Sequence, residues 1–164
     1  MMKAKIKKLR ENTKIPETAT KGDAGLDCYT SIFKTIDEQN KKLVDISDQK
    51  YELKPHERVG CGLGFATELP EGWYAQVVPR SGLALWNGLT VTNSPGTIDN
   101  GYRNEWIAIM VNTSNKPVVL KVGDKICQFM MKKSPEIQLE VVEELSTTER
   151  NLGGFGSTDK KDKK

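Results

Sequence analysis

Apolar positions along the chain recur with period two or in short unbroken runs, and almost nowhere with the 3.6 period of an amphipathic helix. Such runs cover residues 4–9, 26–30, 58–67, 73–78, 89–92, 106–112, 118–122, 126–132 and 137–142. Turn-forming residues stand between them, among them Lys54-Pro55, Pro70-Glu71-Gly72, Asn87-Gly88, Asn100-Gly101, Lys116-Pro117 and Gly123-Asp124. Many short strands separated by turns predict an all-β sandwich, barrel or jelly roll. Two segments interrupt this rhythm. Residues 31–50 are polar and charged and read as a surface insertion. Within it, Thr35-Ile36-Asp37-Glu38 has the form of a capping box opening a short helix, while 43–46 and 51–53 could equally pair as a hairpin. The second is 82–86, where a short apolar helical turn fits. After Val142 the chain turns polar, then glycine-rich from Gly153 to Gly156, and ends on Asp and Lys alone. Such a composition cannot bury enough surface to fold by itself and predicts a flexible arm, ordered only against a ligand or partner.

Charge and composition narrow the chemistry. The chain has 164 residues and a formal net charge of +3. Residues 1–14 hold six basic side chains against Glu11, and 159–164 hold four Lys against two Asp, so the body between is slightly acidic. A nucleic-acid-gripping body usually carries a basic stripe, so stable nucleic-acid binding is not expected. The longest apolar run, 106–111, is too short to span a bilayer, and no signal segment opens the chain. Cytoplasmic residence is expected, or nuclear in a eukaryote. Cys28, Cys61 and Cys127 lie among apolar neighbours, the pattern of buried thiols in a reducing compartment. His56, the one histidine, sits in an apparent exposed turn, which disfavours Ser-His or Cys-His devices and zinc. Carboxylates, Arg, Ser and backbone amides remain, together with a hard metal ion.

Four segments carry candidate chemistry. Around Asp99-Asn100-Gly101-Tyr102, a tight hairpin would present a carboxylate able to orient water and an aromatic wall; Asp-Asn-Gly also occurs for turn geometry alone. Pro79-Arg80-Ser81-Gly82 offers a guanidinium fork, a hydroxyl and a close backbone approach to an anion, or else an Arg that only braces a turn. Arg150 with 153–158 supplies a guanidinium, amides, two hydroxyls and Phe155, a set suited to phosphates and a stacked base, though a linker has the same look. It lacks the ending of a Walker loop. In 19–27, Asp27 at a strand start could hold a magnesium-bound water or simply close a turn.

All of these in one chain, in this order, resemble the homotrimeric deoxyuridine triphosphatase (dUTPase) family. Its five motifs are matched by Asp23-Ala24-Gly25-Leu26-Asp27, Pro79 to Ala84, Asn93 to Glu105, Gly123 to Gln128 and Arg150 to Thr158. The resemblance covers nearly the whole chain. It implies a dUTPase-like β jelly roll (β-clip) over 1–145, a substrate-closing arm over 146–158 and a charged tail over 159–164. It implies a homotrimer with active sites at subunit interfaces, hydrolysing dUTP to dUMP and pyrophosphate with Mg2+. That activity limits uracil incorporation into DNA and supplies dUMP for thymidylate synthesis. By the same resemblance, Asp99 activates the attacking water, and Asp27 holds magnesium through water. Arg80, Ser81, Gly82 and Gln128 meet phosphates, while Asn93, Gly96 and Ile98 read uracil. Tyr102 packs under the deoxyribose, and Arg150, Phe155, Gly156, Ser157 and Thr158 close over the nucleotide. Asn104 stands where the family commonly has Gly, and Lys125 where Arg is common. The rival on the same fold is a dCTP deaminase, disfavoured because the hairpin carries Asp99 and Tyr102 rather than a ring-directed glutamate. A rival of another class is a binding module engaging a protein partner through 31–50.

Overall fold

A computed structural model describes residues 3–153. They form thirteen strands and one short helix: β1 (Lys5–Lys8), β2 (Leu26–Tyr29), β3 (Ile32–Asp37), β4 (Lys42–Ile46), β5 (Lys50–Leu53), β6 (Arg58–Gly62), β7 (Phe65–Glu68), β8 (Trp73–Pro79), α1 (Ser81–Asn87), β9 (Leu89–Val91), β10 (Gly96–Ile98), β11 (Ile107–Asn112), β12 (Val118–Lys121) and β13 (Lys125–Lys133). The fold is a jelly-roll-like all-β domain, as the periodicity predicts. One sheet has the order β10-β8-β13-β2 and the other β4-β3-β6-β11-β9; two-stranded ribbons β1-β7 and β12-β5 flank them. No described helix is long and apolar enough to cross a membrane.

Inward residues of the two main sheets make the core, among them Phe33, Val59, Ala75, Val77, Ala108 and Met110. Trp106 anchors it, with Phe65 and Phe129 rings each at 5.1 Å and its indole N–H donating to Thr67 Oγ1 at 3.1 Å. Burying that large ring without orphaning its donor is what makes Trp tolerable here. The three cysteines are buried free thiols, and burial pushes Cys61 up to about 12. His56 is exposed in its turn.

Several local elements differ from those the sequence pattern predicts. The run 58–67 is two strands, because the chain changes sheet at Leu63-Gly64. Gly64 has φ +78°, and a Cβ there would strike Thr13 Oγ1 and lie 2.7 Å from Ser31 Oγ, so only glycine fits. No helix starts at Thr35, and 43–46 does not pair with 51–53. Instead β3 pairs with β4 from Phe33↔Ile46 to Asp37↔Lys42, and β5 pairs with β12. The Asp37 carboxylate accepts from the Gln39 and Asn40 amides at 3.1 Å, closing a turn that competes with the helix start. Phe33 and Lys34 are buried in the sheet, while most of the hairpin beyond them is exposed. Residues 137–142 alternate like a strand but form none: Ile137, Leu139 and Val141 are exposed, and no described strand of this chain pairs with them. Alternation specifies a strand only where an edge is there to receive it.

Candidate functional site

The sheet β10-β8-β13-β2 positions most of the chemistry. On β2 and β13, Asp27 lies opposite Gln128, and β13 also runs beside β8, whose end leads into Arg80. These neighbours gather a recess of about 350 Å³ lined by Ala19, Asp23, Ala24, Gly25, Asp27, Arg80, Ser81, Gly82 and Gln128. Five expected residues, Asp27, Arg80, Ser81, Gly82 and Gln128, therefore meet in one place.

The recess is held together by charge. Asp27 is nearly buried, and its Oδ1 accepts from Arg80 Nε at 3.1 Å while Oδ2 meets Lys125 Nζ at 2.8 Å. Arg80 also donates to the Lys125 carbonyl at 3.3 Å. Hydrogen bonding to Asp27 raises the Lys125 ammonium above its ordinary value. Lys125, noted from sequence only as standing where Arg is common, is thus a partner of the central carboxylate. Gln128 donates from Nε2 to Pro79 O at 3.2 Å. Its Oε1 lies so close to Gly25 that any Cβ there would overlap it.

Ser81 and Gly82 open α1, which begins at Arg80 with no side chain capping it. The Ala84 amide bonds Arg80 O at 3.0 Å, so the preceding amides of the first turn have no intrahelical acceptor. A Cβ on Gly82 would meet nothing within 4 Å in this chain, so packing within the chain does not demand glycine there. The predicted helical turn is therefore present, and its Leu85 and Trp86 stand 72% and 81% exposed.

Asp99 lies elsewhere. The expected tight turn exists, with the Tyr102 amide donating to Asp99 O at 3.1 Å. Its flanks do not form a hairpin, however: β10 pairs with β8, whereas β11 pairs with β6 and β9 in the other sheet. Asp99 is exposed in a separate hollow of about 930 Å³ with Glu71, Trp73, Tyr74, Asn100 and Lys133 among its walls. Ile98 is opposite Ala75, which sets Asp99 near Tyr74. Arg80 follows the far end of β8, six residues on from Tyr74, so roughly 20 Å separates the two at strand rise. Within one chain, Asp99 and the recess are not one site.

β10 is the edge of its sheet, so alternate backbone groups of Gly96–Ile98 point away from β8. Asn93 is exposed just before it. Tyr102 is 39% exposed and donates from its hydroxyl to the Glu105 carbonyl at 3.1 Å. Asn104 keeps its turn by accepting the Glu105 amide on Oδ1 at 2.8 Å. Arg150 is exposed, donates to Gly153 O at 2.9 Å and lines neither hollow. Phe155, Gly156, Ser157 and Thr158 lie outside the described residues.

Sequence reasoning missed a second charged group. Glu105 is almost buried and is clasped by the Arg10 fork, by Lys34 Nζ at 3.2 Å and by the Gly64 amide at 2.9 Å. Lys34 pairs in turn with Asp45, and Arg10 approaches Asp45 at 3.6 Å. Burial pushes the Glu105 carboxyl up, but the Arg10 and Gly64 donors and the two cations hold it below its ordinary value. The Lys34 bond lowers Asp45 likewise. Their signal in sequence was weak: Arg10, Lys34, Asp45 and Glu105 are far apart along the chain and look like solvated charges.

Among the described residues no cluster of three His, Cys, Asp or Glu could hold an ion. Asp27 has given one lone pair on each oxygen to a cation, leaving capacity for a metal-bound water but not for a protein-only cage.

An all-β jelly roll with a donor-lined recess at a strand-to-helix junction, and no Walker loop in its sequence, defines the class of domain. The family model described as dUTPase matches residues 45–159. The deoxyuridine 5'-triphosphate nucleotidohydrolase of Hydrogenobaculum sp. is 45% identical over 159 residues, 96% of this chain and 98% of that protein. The same enzyme of Nautilia profundicola is 43% identical over 161 residues, covering 97% and 100%. A mutant dUTPase of Staphylococcus bacteriophage 80alpha with dUpNHpp superposes with TM-score 0.77 at 22% identity, covering 95% of this chain and 98% of that one. The chain belongs to the dUTPase family and is a hydrolase.

Proposed function

We propose that this chain hydrolyses dUTP to dUMP and pyrophosphate, the reaction of its family, at sites completed between subunits. The observation that carries the reading is the convergence of Asp27, Arg80, Ser81, Gly82 and Gln128 in one recess. Arg80 is held by Asp27 and so presents its remaining N–H groups in a fixed direction. With the Ser81 hydroxyl and the first-turn amides it faces the triphosphate, where breaking the α–β anhydride places charge on the bridging oxygen. Preorganised donors help most at that point. Asp27 is the residue that would accept a hydrogen bond from a magnesium-bound water, and the ion, bound with the triphosphate, would neutralise part of its charge.

Asp99 acts as general base on the water that attacks the α-phosphorus. A base must reach its water within about 3 Å, and Asp99 of the same chain is roughly 20 Å from Arg80 by strand rise. The Asp99 that serves this recess therefore comes from a neighbouring subunit, consistent with the trimer typical of the family. On that subunit, Asn93 and the free edge of β10 from Gly96 to Ile98 pair with uracil. A cytosine would reverse the donor–acceptor pattern and leave groups unpaired, at about 1–3 kcal/mol each. Tyr102 lies under the deoxyribose and leaves no space for a 2′-hydroxyl. Arg150 with Phe155, Gly156, Ser157 and Thr158 closes over the nucleotide, excluding water.

Pyrophosphate release is the test, measured on dUTP, UTP, dCTP and dTTP with wild-type protein and Asp99→Asn. Release from dUTP alone, lost by about 10²–10⁴-fold in the variant, is expected for removal of a general base. Ammonia from dCTP, or full turnover in Asp99→Asn, overturns the reading.

A further inference from the structure

We infer that Glu105 is a positioning residue for nucleotide discrimination, fixing Tyr102 through a buried ion cluster that extends to the β3–β4 hairpin. The inference rests on the reading that Tyr102 faces the deoxyribose. Tyr102 stands on an exposed turn, and its ring direction is set by the bond from its hydroxyl to the Glu105 carbonyl. That carbonyl is itself immobilised. On one side, the Glu105 carboxylate is fixed by Arg10 from the N-terminal arm, by Lys34 from β3 and by the Gly64 amide. On the other, Trp106 is buried, its indole bonded to Thr67 and its amide to Phe65 O at 3.0 Å. Space around the carboxylate is closed as well, since a Cβ on Gly62 would lie 2.6 Å from Glu105 Oε1.

The described contacts of the Glu105 carboxylate face inward to cations and an amide, so it serves neither as base nor as metal ligand. Its effect passes through the peptide that Tyr102 grips. Asp45, half exposed on β4, pairs with Lys34 and reaches Arg10, so the hairpin contributes the outermost charge of the cluster. Wall rigidity governs discrimination. A fixed ring excludes an added 2′-hydroxyl, whereas a ring able to tilt admits it at little cost.

The measurement is kcat and KM per active site for dUTP and for UTP, in wild type, Tyr102→Phe, Glu105→Gln, their double variant, Asp45→Asn and Tyr102→Ala. Tyr102→Phe and Glu105→Gln should each lower the dUTP-over-UTP ratio of kcat/KM by about tenfold, and the double variant should lose no more than about twofold beyond either, since both cut one chain of contacts. A merely structural role would scale both substrates together and leave the ratio unmoved. Asp45→Asn, at an exposed position that keeps the core, should lower the ratio about threefold. It decides the matter if Glu105→Gln does not fold, and an unchanged ratio in it then overturns the inference. Additive losses in the double variant also overturn it. If Tyr102→Ala collapses the ratio while Tyr102→Phe and Glu105→Gln leave it intact, the inference fails and the sugar-wall reading survives. If Tyr102→Ala too leaves the ratio intact, both fail.

Discussion

Separation of Asp99 from the recess makes a quantitative complementation test possible. Arg80→Ala removes the guanidinium fork from the recess, and Asp99→Asn removes the carboxylate proposed as general base. Each uniform oligomer should fall to about 1% of wild-type turnover or less, the usual scale for losing such groups. A site that takes Arg80 from one subunit and Asp99 from another is intact when the first carries only the Asp99 change and the second only the Arg80 change. In trimers assembled at random from equal amounts, that combination occurs at about one site in four. Co-refolded mixtures should therefore recover about a quarter of wild-type pyrophosphate release, rising and falling with the mixing ratio. Both variants leave the hydrophobic core untouched, so recovery cannot come from rescued folding, and size-exclusion chromatography checks assembly. Activity that stays at the mean of the two parents would place both groups in one chain. It would refute the strand-rise estimate of roughly 20 Å on which the intersubunit reading depends.

Two further outcomes test other parts of the structure. Gly25→Ala should move the Gln128 amide off Pro79 O, because the new methyl overlaps Oε1. The clash is with the end of a flexible side chain, so melting should shift little, while KM for dUTP rises about tenfold, the scale of one hydrogen bond; an unchanged KM would remove Gln128 from the binding set. Glu105 and Asp45 have folded pKa values below their ordinary 4.5 and 3.8. The unfolded chain therefore takes up protons first as pH falls, and the stability from these groups is complete above about pH 4.5 and lost as pH drops through the folded values. Thermal melts between about pH 6 and pH 3 should show this loss, and Glu105→Gln should flatten its upper part; an identical slope in the variant would mean that the carboxyl is not held.

Local chemistry was legible wherever sequence neighbours become spatial neighbours. The Asn100-Gly101 turn, the helical turn after Arg80 and the buried cysteines all follow from a few adjacent residues. Partner choice was not legible. Tyr51–Leu53 looked ready to pair with the segment just before it, yet it pairs with β12, more than sixty residues away. The hairpin expected around Asp99 failed for the same reason: alternating strands report that they pair, not with which edge. Residues 137–142 show the converse, a strand pattern without a receiving edge in the described chain. Ion partners are harder still to foresee, because Arg10, Lys34, Asp45 and Glu105 share no motif and meet only when three elements fold together.

Charge in the recess then has a physical meaning that net charge could not supply. The body between the basic ends is slightly acidic, so long-range attraction for a triphosphate is weak. Asp27 looks counterproductive beside phosphates, since it neutralises part of the Arg80 and Lys125 charge. Its contribution is geometric. Without it, two long cationic side chains at a partly exposed surface would sample many rotamers, and fixing them would fall to the substrate. With it, Arg80 is held by Nε and by the Lys125 carbonyl, and Lys125 by its ammonium, before any ligand binds. With Asp23 also in its wall, the recess carries little residual charge, so the direction of its donors counts for more than attraction. Lys125 fits this arrangement as a point charge on one carboxylate oxygen, while Arg80 keeps N–H groups that neither Asp27 nor the Lys125 carbonyl occupies.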